Sequence, residues 1–253
     1  MGDRLSNKVA VITGTGGAIG RALALAFTRE GSRVVGCDLH VENARQTVAL
    51  VRAEKGDMAS FEPCDLSDES QCARLMDFAL AQYGRVDVLV NNAGVPTHGR
   101  ITDASGEFWY KTIQNELHLV YLTCKAAWPA LSESRGTIVN MASAAGWLSF
   151  KALAGLAHSA AKGGVIAMTR HLAMEGRHVG IRVNSISPGP IETPKSLSLS
   201  KDPEWADAMT SKILRGTLGK PAEVAAVGVF LASDESSFIN AADIRVDGGV
   251  SAW

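Results

Sequence analysis

Short apolar runs rich in Val and Ile alternate along the chain with longer stretches whose apolar residues recur every three or four positions. The runs at Lys8–Thr13, Arg33–Cys37, Ala59–Pro63, Val86–Asn91, Gly136–Met141, Ile181–Ile186 and Asp243–Val246 predict strands, most of them bounded by Gly, Asn, Asp or Pro. The periodic stretches predict helices near 18–30, 41–54, 68–83, 106–133, 157–176 and 221–232, the last opened by Pro221 with Glu223 behind it. Such alternation implies right-handed crossovers and a parallel sheet covered by helices on both faces. The expected fold is therefore α/β, a doubly wound parallel sheet of about seven strands in one domain. Residues 193–219 carry no strand pattern and are expected to form a substrate lid.

Composition narrows the setting. The chain has 253 residues, 46% of them hydrophobic, which one domain can bury in a large core. A formal charge of -1 gives no general attraction to nucleic acid or an anionic membrane. No run approaches the roughly 20 apolar residues of a membrane span. The first eight residues lack the apolar core of a signal peptide. Cys37, Cys64, Cys72 and Cys124 are scattered without a C-x-x-C pair, which suits free thiols in the cytoplasm.

The first strand-to-helix turn carries candidate chemistry. It reads Thr13-Gly14-Thr15-Gly16-Gly17-Ala18-Ile19-Gly20. Glycine there lets the backbone approach a pyrophosphate, and the following helix N-terminus offers free N–H groups to it. Asp38 closes the second predicted strand, where a carboxylate can accept hydrogen bonds from ribose hydroxyls. That context points to a Rossmann-type dinucleotide site, with NAD preferred over NADP because Asp38 repels a 2′-phosphate. Arg21 and Arg33 are the cations within sequence reach that would argue for NADP.

Further along lie Asn91-Asn92-Ala93-Gly94, Asn115, Ser143, His158-Ser159-Ala160-Ala161-Lys162 and Pro188-Gly189-Pro190-Ile191-Glu192-Thr193. Taken in this order with the glycine turn, they resemble the short-chain dehydrogenase/reductase family over nearly the whole chain. The resemblance implies that Gly14, Gly17, Ile19, Gly20, Asp38, Asp65, Leu66, Asn92, Ala93, Gly94, Lys162, Pro188, Gly189, Ile191 and Thr193 border the cofactor. It also implies a catalytic set of Asn115, Ser143, His158 and Lys162. Asn115, in a context resembling the family's Val-Asn-Leu segment, would hold a water in a proton relay towards Lys162. Ser143 would donate to the substrate oxygen, and Lys162 would bind the nicotinamide ribose. Ala18 stands where the family has the second of its three glycines.

His158 stands where the family carries tyrosine. It lies one helical turn before Lys162, so both face the same side. Tyr83, Tyr110 and Tyr121 all precede Ser143, so none can take that place. A tyrosine with pKa about 10 needs help to act as a base, whereas histidine at about 6.5 is already poised. A nearby Lys162 ammonium is expected to disfavour imidazolium, which biases the site towards alcohol oxidation. The alternative is a cofactor-binding homologue with weak or no redox activity: a partner subunit, an engineered tyrosine replacement or a protein of lyase-type chemistry. His98, His118, His171 and His178 show no metal-ligand spacing, so no metal is expected.

The substrate pocket is expected to be walled by Ala144, Trp147, Phe150, Pro190, Leu197, Leu199, Trp205, Met209 and Ile213, which favours an apolar or cyclic alcohol or ketone. The loop 144–155 is about two residues longer than the family's usual spacing. The resemblance further implies a homotetramer, and the terminal Trp253 is expected to be buried, across an interface.

Overall fold

The computed structural model describes residues 2–150 and 154–253. Met1, in the N-terminal reading, and residues 151–153, in the enlarged loop, lie outside the described residues.

The chain runs β1 (Val9–Thr13), α1 (Ala18–Arg29), β2 (Arg33–Cys37), α2 (Val41–Ala53), β3 (Met58–Phe61), α3 (Glu69–Tyr83) and β4 (Val88–Asn91). It continues through α4 (Gly106–Ile113), a π-helical turn (Gln114–His118), α5 (Leu119–Ser134), β5 (Thr137–Met141), α6 (Leu156–Gly176) and β6 (Arg182–Pro188). The last elements are α7 (Pro194–Leu199), α8 (Pro203–Thr210), α9 (Pro221–Ala232) and β7 (Asp243–Val246). The seven strands form one parallel sheet in the order β3-β2-β1-β4-β5-β6-β7. The order reverses between β1 and β4, so a crevice opens at their carboxyl ends, where doubly wound sheets bind ligands.

The central strands are apolar on both faces because helices cover both. Every residue of β1, β4 and β5 is buried. One layer of core joins Val11, Leu89 and Ile138 to α3, α5 and α6. The other joins Ile12, Val90 and Val139 to α1 and α9, with Phe27 fully buried. These layers hold the strand ends rigid, and the site is built on those ends.

The predicted single helix over 106–133 is interrupted. Gln114–His118 form a π-turn, in which an extra residue is accommodated before α5 resumes. Residues 193–219 carry no strand, as expected, but hold two short helices, each opened by a proline in its first turn. Among the described residues, no helix is long and apolar enough to cross a membrane.

Candidate active site

Gly14 begins the glycine turn with φ +70°, a backbone setting that favours glycine. Gly20 packs more tightly: a Cβ there would lie 2.1 Å from the Gly14 carbonyl oxygen and 2.7 Å from Asn92 Nδ2. Gly17 caps α1 and makes no side-chain capping hydrogen bond. The first amides of α1 are thus left to an anion. Ala18 is accommodated as the first residue of α1.

The neighbouring turn is fastened to this one. Thr13 Oγ1 accepts hydrogen bonds from the backbone N–H groups of Asn92 and Ala93, both at 2.9 Å. Asn92 Nδ2 donates to the carbonyl oxygens of Thr13 and Gly14. Asn91 plays a different part. It is buried, donates to Asn140 Oδ1 and accepts from Thr123, so it braces β4 against β5.

Asp38 closes the far side of the turn. Its carboxylate accepts from Gly16 N–H at 2.9 Å and from His40 N–H at 2.8 Å. Both arginines that sequence set against it are engaged elsewhere. Arg21 donates to Thr47 and Gln46 on α2, and the Arg33 guanidinium lies over the Tyr83 ring at 5.2 Å.

These parts border one cleft of about 990 Å³. Gly14, Gly17, Ile19, Gly20, Asp38, Asp65, Leu66, Asn92, Ala93, Gly94 and Thr193 all line it. Asn115 does too, together with Glu107, Tyr110, Lys111 and Gln114, which sequence reasoning missed. Lys162, Pro188, Gly189 and Ile191 do not. Pro188 ends β6, and Gly189 is pressed against Asp247, where a Cβ would lie 2.7 Å from its Cα. Ile191 is buried in the core under α9 and bridges to Gly219. Of this segment only Thr193 reaches the cleft, and it also caps α7.

Behind the cleft lies a buried polar cluster. Lys162 Nζ donates to the Met141 carbonyl at 3.0 Å and sits beneath Gly94, where a Cβ would approach it to 3.6 Å. Burial lowers the Lys162 pKa, and the Glu116 carboxylate pushes the other way. Glu116 Oε1 lies 3.9 Å from Lys162 Nζ, and Glu116 Oε2 lies 2.7 Å from His158 Nδ1. The His98 ring meets the His158 ring edge-on, with centroids 5.9 Å apart.

This corrects two sequence expectations. The side chain that reaches Lys162 from the helix break is Glu116, whereas Asn115, half-buried, lines the open cleft. Nor does Lys162 alone set the charge around His158, since a carboxylate stands between them. The missed signal was the family's Val-Asn-Leu segment. Laid so that its leucine falls on Leu117, it places Glu116, not Asn115, at the asparagine.

Ser143 lies two residues past β5 and caps the turn that follows, its Oγ accepting from Ala145 N–H at 3.1 Å, so its hydroxyl proton remains free to be donated. The turn that follows is seated on α6: a Cβ on Gly146 would lie 3.0 Å from the Gly163 nitrogen. Ser143 is thereby registered against the helix of His158 and Lys162.

The expected pocket walls are met in part. Ala144, Ile213 and Phe150 pack into one apolar cluster with Leu148, Leu218 and Val250, and Met209 is buried. Trp147 is not a wall of it. Its indole donates to Asp243 at 2.8 Å and Arg245 lies over its ring, so it turns towards β7. Leu197 and Leu199 are exposed. Trp253 is also exposed in the single chain, at 67%, with its Nε1 donating to Lys212 O.

A doubly wound sheet with a glycine-lined anion cradle at its switch point defines a dinucleotide-binding class of protein. Residues 14–251 match the family model described as enoyl-(acyl carrier protein) reductase. The chain is 36% identical to trans-4-hydroxycyclohexanecarboxylate dehydrogenase of Sinomonas cyclohexanicum, over 99% of this chain and 95% of that protein. It is 38% identical to meso-2,3-butanediol dehydrogenase of Serratia marcescens, over 98% of this chain and 96% of that protein. The crystal structure of a short-chain type dehydrogenase/reductase from Mycobacterium marinum superposes with a TM-score of 0.93 at 29% identity, covering 98% of this chain and 97% of that one. The chain belongs to the short-chain dehydrogenase/reductase family.

Proposed function

We propose that this chain is an NAD-dependent dehydrogenase that oxidises a secondary alcohol, apolar or cyclic, to a ketone. The observation that carries the reading is the cluster of partly buried His158 with the buried Lys162 and Glu116 behind a cleft of dinucleotide size. The glycine turn, Asp38, Asp65 and Leu66 would hold the adenosine and pyrophosphate, and Lys162 the nicotinamide ribose. Bound NAD would supply the hydride acceptor. His158 takes the place of the family's tyrosine and accepts the alcohol proton. Ser143 donates its free hydroxyl proton to the developing carbonyl oxygen. NAD is preferred because Asp38 places a negative charge at the cleft and Arg21 and Arg33 are committed elsewhere. The names of the two relatives, a hydroxycyclohexane acid dehydrogenase and a diol dehydrogenase, support an alcohol substrate.

Residues 193–219 act as the substrate lid, which Ile213 and Leu218 anchor to Ala144 and Phe150. The chain assembles as a homotetramer, which would cover the exposed Trp253 and is measured by light scattering. A cytoplasmic location suits four free, buried cysteines. The deciding experiment is NADH production from a panel of cyclic and aromatic secondary alcohols across pH, after calorimetry of NAD binding. Turnover lost in His158→Ala supports the reading. Tight NAD binding without turnover on any alcohol replaces it with a cofactor-binding homologue.

A further inference from the structure

Glu116 is 1% exposed, and a carboxylate is expensive to bury unless it is paired and hydrogen-bonded. Its two oxygens face two different partners. Oε2 lies 2.7 Å from His158 Nδ1, and Oε1 lies 3.9 Å from Lys162 Nζ. The π-turn that carries Glu116 and the first turn of α6 that carries His158 are thereby joined through one side chain.

We propose that Glu116 is the positioning residue for His158: it accepts the Nδ1–H hydrogen bond, fixes the neutral tautomer and leaves the Nε2 lone pair for the substrate proton. The proposal rests on the reading of His158 as the base. A neutral imidazole carries its proton on one nitrogen only. A carboxylate 2.7 Å from Nδ1 requires that proton on Nδ1, because the other tautomer would set a lone pair against a negative oxygen. Nε2 is then unprotonated. As the alcohol is oxidised, its O–H proton passes to Nε2, its carbinol hydride passes to the oxidised nicotinamide, and the C–O bond becomes C=O. The ring ends as imidazolium with its charge beside Glu116. A carboxylate behind a catalytic histidine plays the same part in hydrolytic triads, where it sets tautomer and orientation without taking the proton.

Among the described residues, the charged and titratable groups around His158 are Glu116 from the π-turn, His98 from the loop after β4 and, through Glu116, Lys162 one turn along α6, with Lys195 acting on His98. Only Glu116 among them can accept the Nδ1 proton as an anion.

The test is nitrogen-15 NMR of the imidazole rings in the cofactor-free protein, with His158 assigned by its absence in His158→Ala. The expected wild-type spectrum shows Nδ1 protonated, Nε2 unprotonated, and an Nδ1–H proton far downfield as befits a charge-assisted hydrogen bond. Glu116→Gln moves that proton upfield, and Glu116→Ala shifts the ring to the Nε2–H tautomer. Should Glu116→Ala not fold, the isosteric glutamine variant carries the measurement. In turnover, Glu116→Gln lowers kcat about 100-fold with KM little changed, within the range that base orientation contributes, and Glu116→Asp recovers part of it. A wild-type Nε2–H tautomer, an Nδ1–H proton unmoved by Glu116→Gln, or a loss confined to KM overturns the positioning role, whatever His158→Ala does. Full turnover by His158→Ala removes the base itself, and with it the catalytic meaning of the pair.

Discussion

The Lys162 ammonium lies 3.9 Å from the Glu116 carboxylate, and both side chains are buried. Burial holds the Lys162 pKa below its ordinary 10.5, while Glu116 partly restores it. Between the lowered native value and 10.5, the unfolded chain binds more protons than the native one. By linkage this group's contribution to stability rises with pH through that window and is lost as pH falls through it. Lys162→Met removes the linkage. The melting temperature of the wild type relative to Lys162→Met is therefore expected to rise as pH increases towards 10.5 in cofactor-free protein. A difference that does not vary with pH contradicts the assignment.

Gly20 and Gly106 make opposite predictions for the same substitution. A methyl at Gly20 would meet the Gly14 carbonyl oxygen at 2.1 Å, whereas a methyl at Gly106 has no neighbour within 4 Å. Forcing a methylene into packed structure costs about 1–3 kcal/mol, which lowers the melting temperature of a chain this size by roughly 2–10 °C. Gly20→Ala is expected to show that loss in calorimetry together with weakened NAD binding. Gly106→Ala, at the first position of α4, leaves NAD binding unchanged and stability equal or slightly higher, because alanine is the better helix former.

Asp38 carries the cofactor preference. Asp38→Asn removes the charge and keeps an accepting oxygen for only one of the Gly16 and His40 amides, which bond different carboxylate oxygens. Hydrogen bonds to a charged group are worth about 1.5–3 kcal/mol, so NAD affinity is expected to fall roughly 10- to 100-fold. NADP affinity stays level or rises, because the repulsion of its 2′-phosphate has gone. Calorimetry with both cofactors checks this. An unchanged ratio of the two affinities would mean that Asp38 acts only as a backbone cap.

Much of this was legible in the sequence because sheet and helix periods differ. Arg33–Cys37 and Asp243–Val246 are strands as read, and the helix over 221–232 is found as predicted. The eleven cleft residues were readable from motifs on strand ends, where backbone position alone fixes a contact. The helix break was not. Apolar periodicity over 106–133 does not reveal one extra residue, and each residue turns a helix by about 100°. The choice of Asn115 came from the resemblance and not from that periodicity: laid one residue further on, the family segment falls on Glu116, the side chain beside Lys162. Pro188, Gly189 and Ile191 lie outside the cleft's lining. Their motif fixes the path of the chain, but β7 and the start of α9 pack against that segment from remote sequence.

His158 and Glu116 are best tested as a pair. A tyrosine at 158 would act as a base only by approaching phenolate, and the buried Glu116 carboxylate disfavours a second negative charge beside it. His158→Tyr alone is therefore expected to lower kcat rather than raise it. Glu116→Asn alone removes the anion behind His158 and lowers kcat as well. Glu116→Asn combined with His158→Tyr removes the repulsion and creates the set that the family resemblance implies. Its kcat is expected to exceed the product of the two single effects by about tenfold or more, the non-additivity of residues in direct contact. Steady-state kinetics on the four proteins measures it. Strict additivity would mean that the two side chains act independently, and a gain from His158→Tyr alone would mean that the carboxylate does not oppose a phenolate there.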